Sequence, residues 1–424
     1  MKKRLTLFLG ACLLCLGIGL LSGISGQAQT PPRQPTLIAI GGALRFDNAE
    51  VFNKIIELAG GSGSKICVFP TASGSPQKNG TRVVNAFNRY GASGILIPVA
   101  VKGLDVDYQQ AVNDPALIQQ VQNCTGIYFI GGDQGRITQA LYAESGDRTP
   151  MLDAIWQVFN QGGVVGGSSA GAAILSETMF KDAVDVLSTM KLGVEEGSSI
   201  DQGLGFVGPD LFIDQHFLTR GRFARALVAM QAKGYKLGIG VDENTALVIE
   251  PASGKVDVIG YKGAVVVDLS AATIRPDLTK FNVQNAKLSY LDRGDAFNFK
   301  TNTITPSQAK LEDLTVNPND PSYEPYFTEE IFTGDILENT AVVDLMSNLI
   351  DNTHHEAMGL AFSRATDVVE PDLGFEFKFY TGTDSIGYYT GVLGGEDYSV
   401  ENIHLDVTPI QLSDPLYQQR YQKN

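Results

Sequence analysis

Between residues 36 and 168 the chain repeats one rhythm. Short apolar runs at Thr36–Ile40, Lys65–Phe69, Gly94–Pro98, Gly126–Ile130 and Val164–Val165 each end on glycine or proline. Helical patterns at Glu50–Ala59, Thr81–Tyr90, Pro115–Asn123, Arg136–Ala143 and Met151–Phe159 fall in the gaps or follow the fourth run. Parallel neighbours need a crossover, and helices supply it, so the pattern predicts an α/β fold: a doubly wound, mostly parallel sheet with helices on both faces. Such sheets bind ligands outside the carboxyl ends of their strands. The glycine-rich turns after Ile130 and Val165 are therefore expected to face one crevice.

The second of these turns carries the most chemistry. In Gly163–Ile174 the residues Gly167, Ser169 and Gly171 form G-x-S-x-G, the pattern of a nucleophile elbow, in which small neighbours let a serine sit in a tight strand-to-helix corner. The following helix is expected to aim its amino end at the reacting centre. Main-chain N–H groups of Gly132 and Ala170 are candidates for an oxyanion hole.

A serine hydroxyl needs a base, and the base an orienting acid. Of the four histidines, His354, His355 and His404 lie late in the chain, so His216, closing the apolar run Leu211–Ile213, is the candidate base. Glu243 is the preferred acid, following the run Gly238–Val241, with Asp242 second and Asp214 less suited by its position two residues before His216. The order Ser, His, acid differs from the Ser, acid, His order usual for this elbow. His354 and His355, beside Glu356, have no third ligand at metal-binding spacing, and no metal or organic cofactor is expected.

Charge and composition restrict the rest. The net charge of −15 divides unevenly: residues 29–305 hold 26 acids and 24 bases, whereas 306–424 hold 21 acids and 5 bases. This argues against nucleic-acid binding and for a solvated acidic surface. Lys2, Lys3 and Arg4, the apolar Leu5–Leu21 and the small-x-small site Gly26-Gln27-Ala28 read as a signal peptide over residues 1–28, cleaved before Gln29. Export to the periplasm or the extracellular space follows. A retained anchor, or lipidation at Leu9-Gly10-Ala11-Cys12, is the competing reading, and after processing no stable membrane span is expected. Cys67 and Cys124 are too few for a disulfide framework and are expected as buried thiols, with one bridge between them left open. Residues 36–305 read as one catalytic unit. Residues 306–424 read as an acidic α+β or β-rich appendage, with a helix at Asp335–Leu349 and strands at Phe375–Tyr380 and Tyr398–Pro409.

Four motifs in sequence are similar to those of cyanophycinases, serine exopeptidases related to aspartyl dipeptidases. They are Gly131-Gly132-Asp133-Gln134, Gly167–Ala172, Ile213–Phe217 with Arg220-Gly221-Arg222, and Asp242–Ala246, and the likeness spans roughly residues 36–300. The resemblance implies a flavodoxin-like sheet of the class I glutamine amidotransferase type, Ser169 as nucleophile, His216 as base and Glu243 as its partner. It also implies substrate contacts at Gln134, Asp214, Gln215, Arg222 and Arg225, with Asp214 able to hold a guanidinium. The implied reaction is hydrolysis of cyanophycin, a polyaspartate bearing arginine side groups, to β-Asp-Arg dipeptides. The partner expected is thus a peptide rich in Asp and Arg, and a homodimer is compatible with it. Small aspartyl or isoaspartyl peptides are the alternative substrate, and a non-catalytic peptide-binding relative the alternative class. The polar stretch Lys181–Gln202 reads as a loop. The chain departs from the family in having Ser168 before the nucleophile, in its Lys181–Asp201 segment, and in its leader and acidic end.

Overall fold

The computed structural model describes residues 33–181, 185–365, 369–392, 394 and 397–416. The leader expected at residues 1–28 lies outside these, as do residues 182–184 of the segment expected to loop. From Arg33 onward the chain forms one compact unit.

Two nine-stranded sheets organise it. The first has the expected parallel centre, in the order Thr36–Ile40, Val164–Ser168, Gly126–Phe129, Lys65–Phe69 and Ser93–Leu96. These strands are short and mostly buried because helices cover both faces. One face packs on the helices Ala49–Leu58 and Pro76–Arg89, through Phe52, Ile55 and Phe87. The other packs on Pro115–Gln122 and Pro150–Asn160. The last helix starts where its sequence dictates: the Thr149 hydroxyl accepts from Leu152 N–H at 3.3 Å and Pro150 fills a position that needs no donor. Register sets the crest of this sheet. Ile40 pairs with Ser168 and Phe129 with Gly167, so three strands end level.

The second sheet contains Leu211–Gln215 and Leu237–Val241, parallel and level at Gln215 and Val241. After Val241 the chain turns through Asp242–Asn244 into Thr245–Glu250, which belongs to the first sheet and runs antiparallel to Thr36–Ile40. Two backbone bonds join the sheets at this corner: His216 N–H donates to Gly41 O at 2.7 Å and Asn244 N–H to Gly42 O at 2.8 Å. The site's residues thus come from two sheets whose strand ends meet.

The acidic segment is not set apart. Its long strands continue the second sheet: Asp397–Gln411 pairs with Val283–Leu291, and Leu373–Thr390 pairs with Asp397–Gln411. Phe375, Phe377 and Phe379 are fully buried, in a core with Phe223, Leu227 and Met230 of the helix Phe223–Lys233. Elsewhere the segment expected as loop between Lys181 and Gln202 forms a helix, Val186–Leu192, and the strand Ile200–Gln202, which pairs with Thr178–Phe180. Both are too short for periodicity to reveal. Cys67 and Cys124 form a disulfide, their Cα atoms 6.0 Å apart, where buried thiols were expected. The pairing arises because Cys67 lies on a strand whose parallel neighbour begins just after Cys124.

Candidate active site

Ser169 occupies the corner between the strand Val164–Ser168 and the single helical turn Ala170–Ala173, with φ 56° and ψ −109°. A non-glycine residue in that region is strained, which is the signature of a nucleophile elbow. Glycines make the corner passable. A Cβ on Gly167 or Gly171 would lie 2.0 or 2.3 Å from Phe129 O, so any side chain there would push the neighbouring strand away. The helix is a single turn, and four residues align too few peptide dipoles to act as the macrodipole expected at its amino end. Individual N–H groups remain: among the described residues neither Gly132 nor Ala170 has an acceptor for its backbone N–H. Both turns stand at the crest, since Gly131 lies against Ser169.

His216 follows its strand with φ 49° and directs its ring toward Ser169. Its Nε2 is 2.9 Å from Ser169 Oγ and its Nδ1 is 2.6 Å from Glu243 Oε1. A carboxylate only accepts, so Nδ1 carries the proton and Nε2 is left to receive the serine's. Burial lowers the His216 pKa below the ordinary histidine value, the hydrogen bond to Glu243 opposes this, and the cations Arg220 and Arg222 add to the lowering. The ring is neutral at pH 7, as a proton acceptor must be.

Asp242, the second choice for the acid, does something different. It is fully buried and accepts from Thr219 N–H at 3.0 Å, from the Thr219 hydroxyl at 3.1 Å and from Lys262 Nζ at 2.6 Å. It therefore ties the turn after His216 to the turn that bears Glu243. Spacing alone could not separate two adjacent acids; in the turn after Val241, Asp242 meets Thr219 and Lys262 while Glu243 meets His216.

The five residues expected to touch substrate divide. Asp214 does hold a guanidinium, but that of Arg225: Nε and Nη2 donate at 2.8 and 2.7 Å, both side chains are buried, and the guanidinium lies 4.0 Å from the Phe180 ring centre. The strand end and the helix start eleven residues on bring them together, and a sealed cation requires its counter-ion. Neither is open to substrate. Gln134 is likewise engaged, its amide donating to Phe180 O at 2.5 Å and Lys181 O at 3.2 Å. Arg222 and Gln215 keep unused capacity. Arg222 donates to Gln215 O at 2.9 Å, burial pushing its pKa down to about 10, and Gln215 Oε1 has no partner among the described residues.

Beside Ser169 opens a pocket of about 320 Å³, lined by Ser169, His216, Gly131 and Gly132 and closed by Leu44, Phe46, Phe52 and Tyr128. Of its wall residues, Tyr128 was legible only as a strand position and Phe52 only as a helix position, with no motif to mark them.

A strained serine, a neutral imidazole and a carboxylate within hydrogen-bond reach, with two free N–H groups alongside, can activate a hydroxyl and stabilise an oxyanion. The pattern of peptidase family S51 matches residues 37–256, more than half of the chain. The chain belongs to peptidase family S51. It is a serine-type peptidase, and it is similar to cyanophycinases from several organisms. That of Geminocystis herdmanii is 32% identical over 276 residues, covering 63% of this chain and 94% of that protein. That of Synechococcus elongatus is 30% identical, covering 63% and 80%. That of Trichormus variabilis is 29% identical, covering 67% and 93%. Among solved structures, a peptidase from an acI-B1 actinobacterium is 20% identical, covering 63% of this S51 chain and 98% of its own, with a TM-score of 0.46.

Proposed function

We propose that this peptidase is an exopeptidase for aspartyl peptides that works through an acyl-enzyme on Ser169. The observation that carries the reading is the continuous hydrogen-bonded line from Ser169 Oγ through the His216 ring to Glu243. In it, Oγ attacks the scissile carbonyl carbon as Nε2 takes the hydroxyl proton. Glu243 stabilises the imidazolium, and the N–H groups of Gly132 and Ala170 receive the oxyanion. Collapse releases the amine, which takes the proton from Nε2, and water then frees the acyl group by the same steps in reverse.

Two substrates fit this reading. Cyanophycin, cleaved to β-Asp-Arg, is supported by the three cyanophycinase relatives. Small aspartyl or isoaspartyl peptides are supported by the pocket at Ser169, whose lining includes no carboxylate to meet an arginine side chain. Export belongs to the same proposal, supported by the leader pattern and by the Cys67–Cys124 disulfide, since such bonds persist in oxidising compartments.

The test is incubation of the protein, beside a Ser169→Ala control, with insoluble cyanophycin and separately with β-aspartyl dipeptides, followed by mass analysis of soluble products. Products from the parent and none from the control support the reading, and the productive substrate names the class. Equal products from both would refute it.

A further inference from the structure

The pocket at Ser169 has a composition that says what enters it. Leu44, Phe46, Phe52 and Val83 supply apolar wall, from the turn after the first strand and from the helices Ala49–Leu58 and Pro76–Arg89. Arg82 stands on the same wall, its guanidinium carbon 5.2 Å from the centre of the Phe46 ring. Among the described residues no carboxylate pairs with Arg82. Asp47 is held by Arg45 at 2.7 Å, and Glu243 by His216. Asn79 on the same wall donates to Ser73 Oγ at 3.0 Å, and its amide oxygen has no donor among the described residues. The floor is uncharged: Tyr128 is buried, and burial raises its hydroxyl pKa well above the ordinary tyrosine value.

A cation left unpaired against an aromatic face, in a cavity with an apolar wall and no carboxylate, favours an anion whose body is apolar. It disfavours a guanidinium or ammonium, which would meet like charge with nothing to pair it. His216 lines the pocket and is the group that protonates the departing amine in the proposed reaction, so the pocket is open to the residue that leaves. A leaving residue that ends the peptide carries a free α-carboxylate.

We propose that this pocket is a specificity subsite for a C-terminal leaving residue with an apolar side chain, its α-carboxylate bound by Arg82, so that the preferred substrates are isoaspartyl dipeptides such as β-Asp-Leu and β-Asp-Phe and not β-Asp-Arg. The proposal rests on the acyl-enzyme reading above. It adds Phe46, Phe52 and Arg82 as the residues that choose the substrate.

Steady-state kinetics on the full-length protein test it, with β-Asp-Leu, β-Asp-Phe, β-Asp-Arg, β-Asp-Lys and the C-terminal amide of β-Asp-Leu. The parent is expected to favour Leu and Phe over Arg and Lys by about tenfold or more in kcat/KM. Removing the carboxylate in the amide should raise KM by about tenfold, and Arg82→Ala should raise KM for β-Asp-Leu equally while leaving the amide unchanged. Arg82 is exposed on a helix, so the variant folds; Arg82→Lys should recover part of the loss, and Arg82→Glu should move the preference toward β-Asp-Lys. Preference for β-Asp-Arg by the parent, or an Arg82→Ala variant with an unchanged KM for β-Asp-Leu, overturns the subsite and leaves the acyl-enzyme standing. Failure to cleave any of the peptides, with Ser169 refractory to a fluorophosphonate, overturns both.

Discussion

At the residue scale, the proposed catalysis falls to three side chains, and two of them cost the fold something to hold. Ser169 and His216 both sit at positive φ, strain that the elbow glycines and the bond from His216 N–H to Gly41 O sustain. Burial holds the His216 pKa below the ordinary histidine value, so the free base is the majority form further into acid than for an exposed histidine. The acid limb of the kcat/KM profile is therefore expected at a pH below about 6.5. Glu243→Gln should lower kcat by roughly 10³- to 10⁴-fold with little change in KM, because the amide can present its N–H to Nδ1 and favour the wrong tautomer. An unchanged rate would assign the orienting role elsewhere. Ser169 and His216 were readable in the sequence for a simple reason: the elbow spacing is tight, and His216 is the only histidine before residue 354. The choice of Glu243 over Asp242 was weaker, since both follow one strand, and the network of Asp242 with Thr219 and Lys262 depends on residues about twenty positions away on either side.

At the scale of elements, two of the residues expected to touch substrate join a strand to a helix instead. Asp214 and Arg225 link the end of the strand Leu211–Gln215 to the first turn of the helix Phe223–Lys233. Asp214→Ala should cost about 3–5 kcal/mol of stability, read by urea denaturation, because it strands a buried cation. The double replacement Asp214→Leu with Arg225→Met should recover most of that loss. If instead Asp214→Ala left stability intact and raised KM, these residues would be substrate contacts after all. Periodicity located the parallel strands well, since each is a buried apolar run ending on a turn residue. It missed Val186–Leu192 and Ile200–Gln202, where elements of seven and three residues give no usable period. The helix expected at Asp335–Leu349 begins later, at Ala341, because Thr340 in the left-handed region interrupts the turn before it.

For the whole molecule, the main revision concerns residues 306–424. Their acidity suggested a separate appendage, yet charge records only the solvent face of a strand, whereas alternation along Phe375–Phe379 records the buried one. Ending the chain at Thr305 would leave Val283–Leu291 with one open edge, its other edge still paired with Ala264–Asp268, and uncover the core around Phe223 and Met230. Each large side chain so exposed forfeits about 1.5–3 kcal/mol, so the shortened protein is expected to aggregate and lose activity. A soluble, active form on gel filtration would show that the second sheet stands without its last strands. Everything proposed for the activity turns on Ser169, and the most direct measurement is intact-protein and peptide mass spectrometry after reaction with a fluorophosphonate. The expected result is one adduct, on Ser169, absent from Ser169→Ala, slowed in Glu243→Gln, and forming faster as His216 loses its proton. An adduct on another serine, or none while the protein cleaves peptides, would contradict it.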